Sequence, residues 1–145
     1  MKITQEADYA LRVILHLSKL GYGEKVEARA ISENEELPLR FLLKLLRKLT
    51  KARIVISYRG VKGGYALNKE PKDINLKDVI EVIDGPICIN RCIYNPEYCN
   101  AGKNGNCEIH RSLCKIQKKL ANELEAVNFQ NILDENKGTI IQEIK

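Results

Sequence analysis

The sequence predicts a mainly α-helical chain with a small β-hairpin wing, that is, a winged helix-turn-helix followed by a long helix. Three observations lead there. Apolar residues recur every three or four positions over residues 5–20, 38–51 and 107–128. Two helical segments, 27–34 and 38–51, are separated by a tight turn. A β-branched run, Ile54 to Tyr58, leads into the glycine-rich turn Arg59-Gly60-Val61-Lys62-Gly63-Gly64 and a return strand, Tyr65-Ala66-Leu67.

The first helix carries Ala7, Ala10, Leu11, Ile14, Leu15 and Leu17 on one face, and Gly21 and Gly23 stop it. Glu27–Asn34 forms the short helix, and Asn34-Glu35-Glu36 the turn. Pro38 suits the first position of the next helix, because its missing N–H costs nothing there. Leu42, Leu45, Leu46 and Leu49 are that helix's apolar stripe. Further on, Asn75 caps a helix over 76–84, with Asp78 favourable in its first turn. Gly85 and Pro86 end it. Residues 86–106 read as a long loop, which in a compact domain needs a reason such as bound metal. In the last long helix Ile109, Leu113, Ile116, Leu120, Leu124 and Val127 form a narrow seam suited to a second copy of the chain. Beyond Lys137 a frayed or disordered tail is expected. The expected division is a winged helix-turn-helix region at 1–70, a cysteine loop and dimerisation helix at 71–136, and a C-terminal tail at 137–145.

Charge and sulfur are distributed unevenly over the 145 residues. Residues 1–70 hold 14 basic and 8 acidic side chains, whereas 71–145 hold 10 and 11. Residues 38–62 contain eight basic side chains (Arg40, Lys44, Arg47, Lys48, Lys51, Arg53, Arg59 and Lys62) and no acidic one. Helix surfaces usually mix signs, and a one-signed helix after a helix-turn suits a phosphate backbone. A cation on a glycine-rich wing can enter a minor groove, where negative potential is strong. Double-stranded DNA is therefore the expected partner. No apolar run reaches the length of a membrane span, and the first residues lack the layout of a secretory signal, so no membrane partner and a cytoplasmic location are expected.

In that compartment thiols stay reduced, and five cysteines are an odd number, so metal ligation outranks a disulfide framework. The spacing is Cys88-x3-Cys92-x6-Cys99-x7-Cys107-x2-His110-x3-Cys114. No CxxC knuckle is present, so an ordinary zinc finger fits poorly. His110 lies one turn after Cys107 on the same face of the helix start, where an anionic thiolate is favoured. Thiolates suit iron–sulfur or zinc. Cys114 reads as a buried, inert cysteine. No catalytic constellation appears, so the chain is not expected to be an enzyme.

The opening Met1-Lys2-Ile3-Thr4-Gln5-Glu6-Ala7-Asp8-Tyr9-Ala10-Leu11-Arg12, the helix through Leu42–Leu49, the wing Arg59–Leu67 and the three-cysteine loop before a long helix together resemble the IscR/NsrR family of bacterial iron–sulfur transcription regulators. The resemblance covers roughly residues 1–135. It implies a homodimer whose operator affinity responds to an iron–sulfur cluster sensing redox state, nitric oxide or iron–sulfur supply. By this resemblance Cys92, Cys99 and Cys107 are cluster ligands. His110 falls on the fourth ligand of the [2Fe–2S] branch, placed ahead here, and Asp8 on that of the [4Fe–4S] branch, where it comes from the other subunit. The cysteine gaps of six and seven residues exceed the family's commoner five. Arg40 and Phe41 match base-contacting positions and Arg59 a minor-groove contact, while Lys44, Arg47, Lys48 and Lys62 go to phosphates. An acidic base-reading position of the first branch is Leu43 here. Two alternatives remain: a DNA-binding regulator using the cysteines as a zinc or thiol–disulfide switch, and an electron-transfer protein, for which the basic segment would have no purpose.

Overall fold

A computed structural model describes residues 2–103 and 106–144, with residues 138–144 described by backbone alone. The order is α1 (Gln5–Leu20), α2 (Ala28–Asn34), α3 (Leu39–Lys51), β1 (Val55–Tyr58), β2 (Gly64–Leu67), a 3-10 turn at Pro71–Asp73, α4 (Leu76–Asp84), α5 (Arg91–Tyr94), a second 3-10 turn at Pro96–Tyr98, α6 (Glu108–Ala126) and α7 (Phe129–Ile144). The mainly helical architecture with a hairpin wing is as the sequence predicts.

The Asn75 cap and the glycine stops stand where they were expected, and Thr4 adds a cap that the sequence reading did not name. The Thr4 hydroxyl accepts from the Ala7 N–H at the start of α1, and the Asn75 side chain accepts from the Asp78 N–H at the start of α4. Gly21 ends α1 at φ +105° and Gly85 ends α4 at φ +84°. Pro38 stands one place earlier than predicted, as the cap of α3, and its carbonyl accepts the first helical bond, from Leu42 at 3.1 Å.

The core sits between α1, α3 and the wing. Ala10, Val13, Ile14 and Leu17 of α1 meet Leu42, Leu45, Leu46 and Leu49 of α3, all buried. The periodic leucines face inward, which leaves the cations of α3 on the outer side. The strands pair antiparallel, with Ser57 opposite Tyr65 and Tyr58 opposite Gly64. The hairpin is held to the segment before α2 by two backbone bonds between Val26 and Tyr65, at 2.8 and 2.9 Å. This approach requires Gly64, since a Cβ there would stand 2.7 Å from the Val26 carbonyl oxygen.

Two parts of the second half differ from the expectation. The 86–106 loop contains α5 and a 3-10 turn, whose Asn95 side chain accepts from the Glu97 N–H at 3.0 Å. Asn104 and Gly105 lie outside the described residues. Past the long helix the chain returns to the head. Phe129, 1% exposed, enters the same core as α1 and α3, and the backbone runs on as α7 to Ile144. Lys145 lies outside the described residues. The return is fixed by bonds from Leu76 N–H to the Val127 carbonyl and from Phe129 N–H to the Ile74 carbonyl, both 3.0 Å. A single Phe after a seam carries no local mark of such distant packing.

Candidate nucleic-acid interface and metal site

α3 and the wing carry the residues expected to meet DNA. Arg40, Phe41, Lys44 and Arg47 are exposed on α3, and Arg59 and Lys62 are exposed at the wing turn, around a fully exposed Val61. Phe41 is 57% exposed, a large apolar surface to leave on the helix start without a partner. Leu43 is exposed beside it. Lys48 differs from the others. It is half-buried, and its Nζ donates to Glu6 Oε1 at 2.8 Å; Lys44 Nζ lies 3.7 Å from the same oxygen.

The turn that aims α3 is braced from α1. Arg12 donates to the Glu35 carbonyl, and His16 Nδ1 lies 3.1 Å from Glu35 Oε1. The next residue, Glu36, sits at φ +52°, in the left-handed region that closes the turn. Sequence reading assigned His16 no role, because its partner lies 19 residues away. Lys25 was missed for the same reason. Its ammonium stands 4.5 Å from the centroid of the Tyr58 ring, adding a cation beside the strand residue next to the wing turn.

The second cluster of interest surrounds the start of α6. Cys92, Cys99, Cys107 and His110 line one cavity of about 120 Å³, together with Asn90, Pro96 and Ile109. The two turns of the 86–106 segment bring this about: α5 presents Cys92, the 3-10 turn ends at Cys99, and Cys107 occupies the cap position of α6. The cap has no side-chain hydrogen bond, and His110 follows in the first turn. The helix end there favours negative charge, as thiolate ligands require. Among the described residues, no three His, Cys, Asp or Glu side chains converge closely enough to hold one metal ion. A cluster of several iron and sulfide atoms spreads its thiolates wider than a single tetrahedral zinc does. The donor set lining the cavity, three thiols and an imidazole, is of the soft type that suits iron–sulfur or zinc.

The remaining candidates do not line that cavity. Asp8 is exposed in the first turn of α1 and does not line it within this chain. Cys88 is half-buried, and its thiol donates to the Asn90 carbonyl at 2.8 Å. Cys114 is not the buried residue expected: it is half-exposed, with Sγ 3.3 Å from His110 Nε2. It lies on the same helix, one turn beyond His110, and α6 has no residue buried within the chain. The cysteine segment is tied to α6 by a bond from the Ile89 N–H to Gln117 Oε1, at 2.9 Å.

Residues 3–135 match the model of the Rrf2 family, described as iron-dependent transcriptional regulators. An rrf2-like HTH-type transcriptional regulator of Rhodobacter capsulatus is 36% identical over 126 residues, covering 82% of this chain and 79% of that one. The HTH-type transcriptional regulator IscR of Aliivibrio salmonicida is 28% identical over 136 residues, covering 94% and 79%. Among solved structures, T. potens IscR superimposes with a TM-score of 0.71 at 25% identity, covering 94% of this chain and 88% of that one. These relatives are regulators, a non-enzymatic role that agrees with the lack of a catalytic constellation in the sequence. No helix among the described residues is long and apolar enough to cross a membrane.

Proposed function

The chain belongs to the Rrf2 family of transcriptional regulators, and from that premise we propose that it is a homodimeric DNA-binding regulator whose operator affinity depends on an iron–sulfur cluster. The observation that carries this reading is the gathering of Cys92, Cys99, Cys107 and His110 around one cavity at the start of α6. These four are the proposed ligands. Asp8, reaching across a dimer, is the alternative fourth. A [2Fe–2S] cluster is favoured over [4Fe–4S] because His110 lines the cavity beside the three cysteines. When bound, such a cluster supplies a centre that reacts with oxidants or nitric oxide and changes charge.

The chain's own residues supply the remainder. Cys92 and Cys99 would hold the cluster from α5 and the following turn, and Cys107 and His110 from the start of α6. The exposed stripe of α6, with Ile109 69% and Ile116 55% exposed, supports pairing with a second copy. Two heads then present two α3 helices to half-sites about one DNA turn apart, or a multiple of it. Arg40 and Phe41 are assigned to base edges and Arg59 to the minor groove. Lys44, Arg47, Lys48 and Lys62 are assigned to phosphates. Ordering or releasing the cysteine segment shifts α6, and with it the spacing of the heads, so both half-sites lose affinity together.

The experiment is anaerobic purification with absorption and Mössbauer spectra of the wild type, His110→Ala and Asp8→Ala, followed by an operator shift assay. The expected result is a coloured protein with altered cluster spectra in one of the two variants, and different operator affinities for the loaded and stripped wild type. A colourless protein with one zinc per chain sinks the cluster. Equal affinities sink the sensing role.

A further inference from the structure

The basic segment 38–62 contains no acid, yet the folded head places one against it. Glu6, in the first turn of α1, lies 42 residues from Lys48 in sequence. Its Oε1 accepts from Lys48 Nζ at 2.8 Å and stands 3.7 Å from Lys44 Nζ. Lys44 and Lys48 are four residues apart, so both project from one side of α3 toward the same oxygen. Among the described residues, Arg40, Arg47, Arg59 and Lys62 form no ion pair. Of the five α3 cations, Lys44 and Lys48 thus face a carboxylate, while Arg40, Arg47 and Lys51 form no ion pair among the described residues.

We propose that Glu6 acts as an internal stand-in for a DNA phosphate, occupying Lys48 and part of Lys44 and so lowering sequence-independent affinity. This rests on the assignment of the α3 cations to phosphates made above. Glu6 and Lys48 are each 34% exposed, so the pair is open to water and salt. An ion pair of that kind is worth at most about five-fold in an equilibrium. A phosphate at the right place displaces it, whereas a loosely held duplex does not recover the cost. Glu6 is therefore a specificity-determining residue: it weakens contacts made on any sequence and leaves Arg40 and Phe41 to decide where the head stays.

The test measures binding of the full-length protein to a random-sequence duplex by fluorescence anisotropy, from low to moderate salt. Wild type is compared with E6Q, E6Q/K48Q, R47Q and E33Q. E33Q makes the same charge change on α2. Releasing one lysine to a phosphate steepens the slope of log affinity against log salt by about 0.9 per chain. E6Q is expected to bind the random duplex several-fold more tightly and to steepen the slope by about that amount. E6Q/K48Q should return most of the way, and E33Q should leave the slope unchanged. An E6Q slope equal to wild type overturns the proposal, as does an equal gain from E33Q, which would make the effect one of net charge alone. R47Q separates the two levels of the argument. A flatter slope for R47Q with no response to E6Q sinks the role of Glu6 only, whereas an unchanged R47Q removes the phosphate assignment and this proposal with it.

Discussion

The head and the cysteine arm are built on opposite terms. Between Gln5 and Asp84 each long helix buries an apolar face, and Ala10, Ile14, Leu42 and Leu46 are fully buried. From Arg91 to Ala126, none of α5, the 3-10 turn or α6 buries a residue. The difference teaches where each part gets its stability. Burial of apolar surface accounts for the head. In the function proposed above, the arm would draw on ligand bonds across its cavity and on a second chain along its stripe. A region with low packing of its own is the one that responds to whatever binds it.

The sharpest way to break this comparison is Phe129→Ala. Phe129 follows the arm in sequence but belongs to the head's core. Loss of a fully buried Phe costs about 3–5 kcal/mol, read as a lower urea midpoint for the unfolding of the head. A loss below about 1 kcal/mol would return residues 127–137 to the arm. Next comes Ile116→Asp on the exposed stripe of α6. The dimer dissociation constant should rise about tenfold or more, measured by sedimentation, while the head's unfolding free energy moves by less than about 0.5 kcal/mol. A large loss of head stability would mean that α6 is core and not interface. The smallest effect is at the turn before α3. Glu36 holds φ +52°, which disfavours a residue bearing a Cβ. Glu36→Gly should raise stability by about 0.5–1 kcal/mol in the same urea titration, with operator affinity unchanged, because Arg12 and His16 still brace Glu35.

Legibility in the sequence follows the same division. α1, α3 and the hairpin were readable because their signals are local: apolar spacing, a capping Asn75, glycine stops and a glycine turn. The cysteines were readable by type, and the cavity gathers Cys92, Cys99, Cys107 and His110. What gathers them is a pair of short turns inside a segment that reads as featureless loop, since Asn95 and Pro96 mark a turn without giving its direction. The Glu6–Lys48 pair, the Glu35 brace and the return of Phe129 were out of reach. Each joins residues that are distant along the chain, and no periodicity carries that information. Cys114 failed for a different reason. Burial was expected of it as a cysteine on a long apolar-striped helix, and α6 buries no residue within one chain.

The clasp at Asn75 and Asn128 has one more consequence. These residues form an antiparallel bridge, so the excursion between them begins and ends at the same place on the head. Such a loop is already long, and its closure entropy depends only on the logarithm of its length. Ten further residues inserted between Cys92 and Cys107 would cost about 0.2 kcal/mol. The cysteine segment can therefore be respaced with almost no penalty to the part that binds DNA. Cysteine gaps of six and seven residues are a setting this scaffold tolerates at little expense, and the segment between α4 and α6 can be replaced while α4, with Val79 in the core, stays in place.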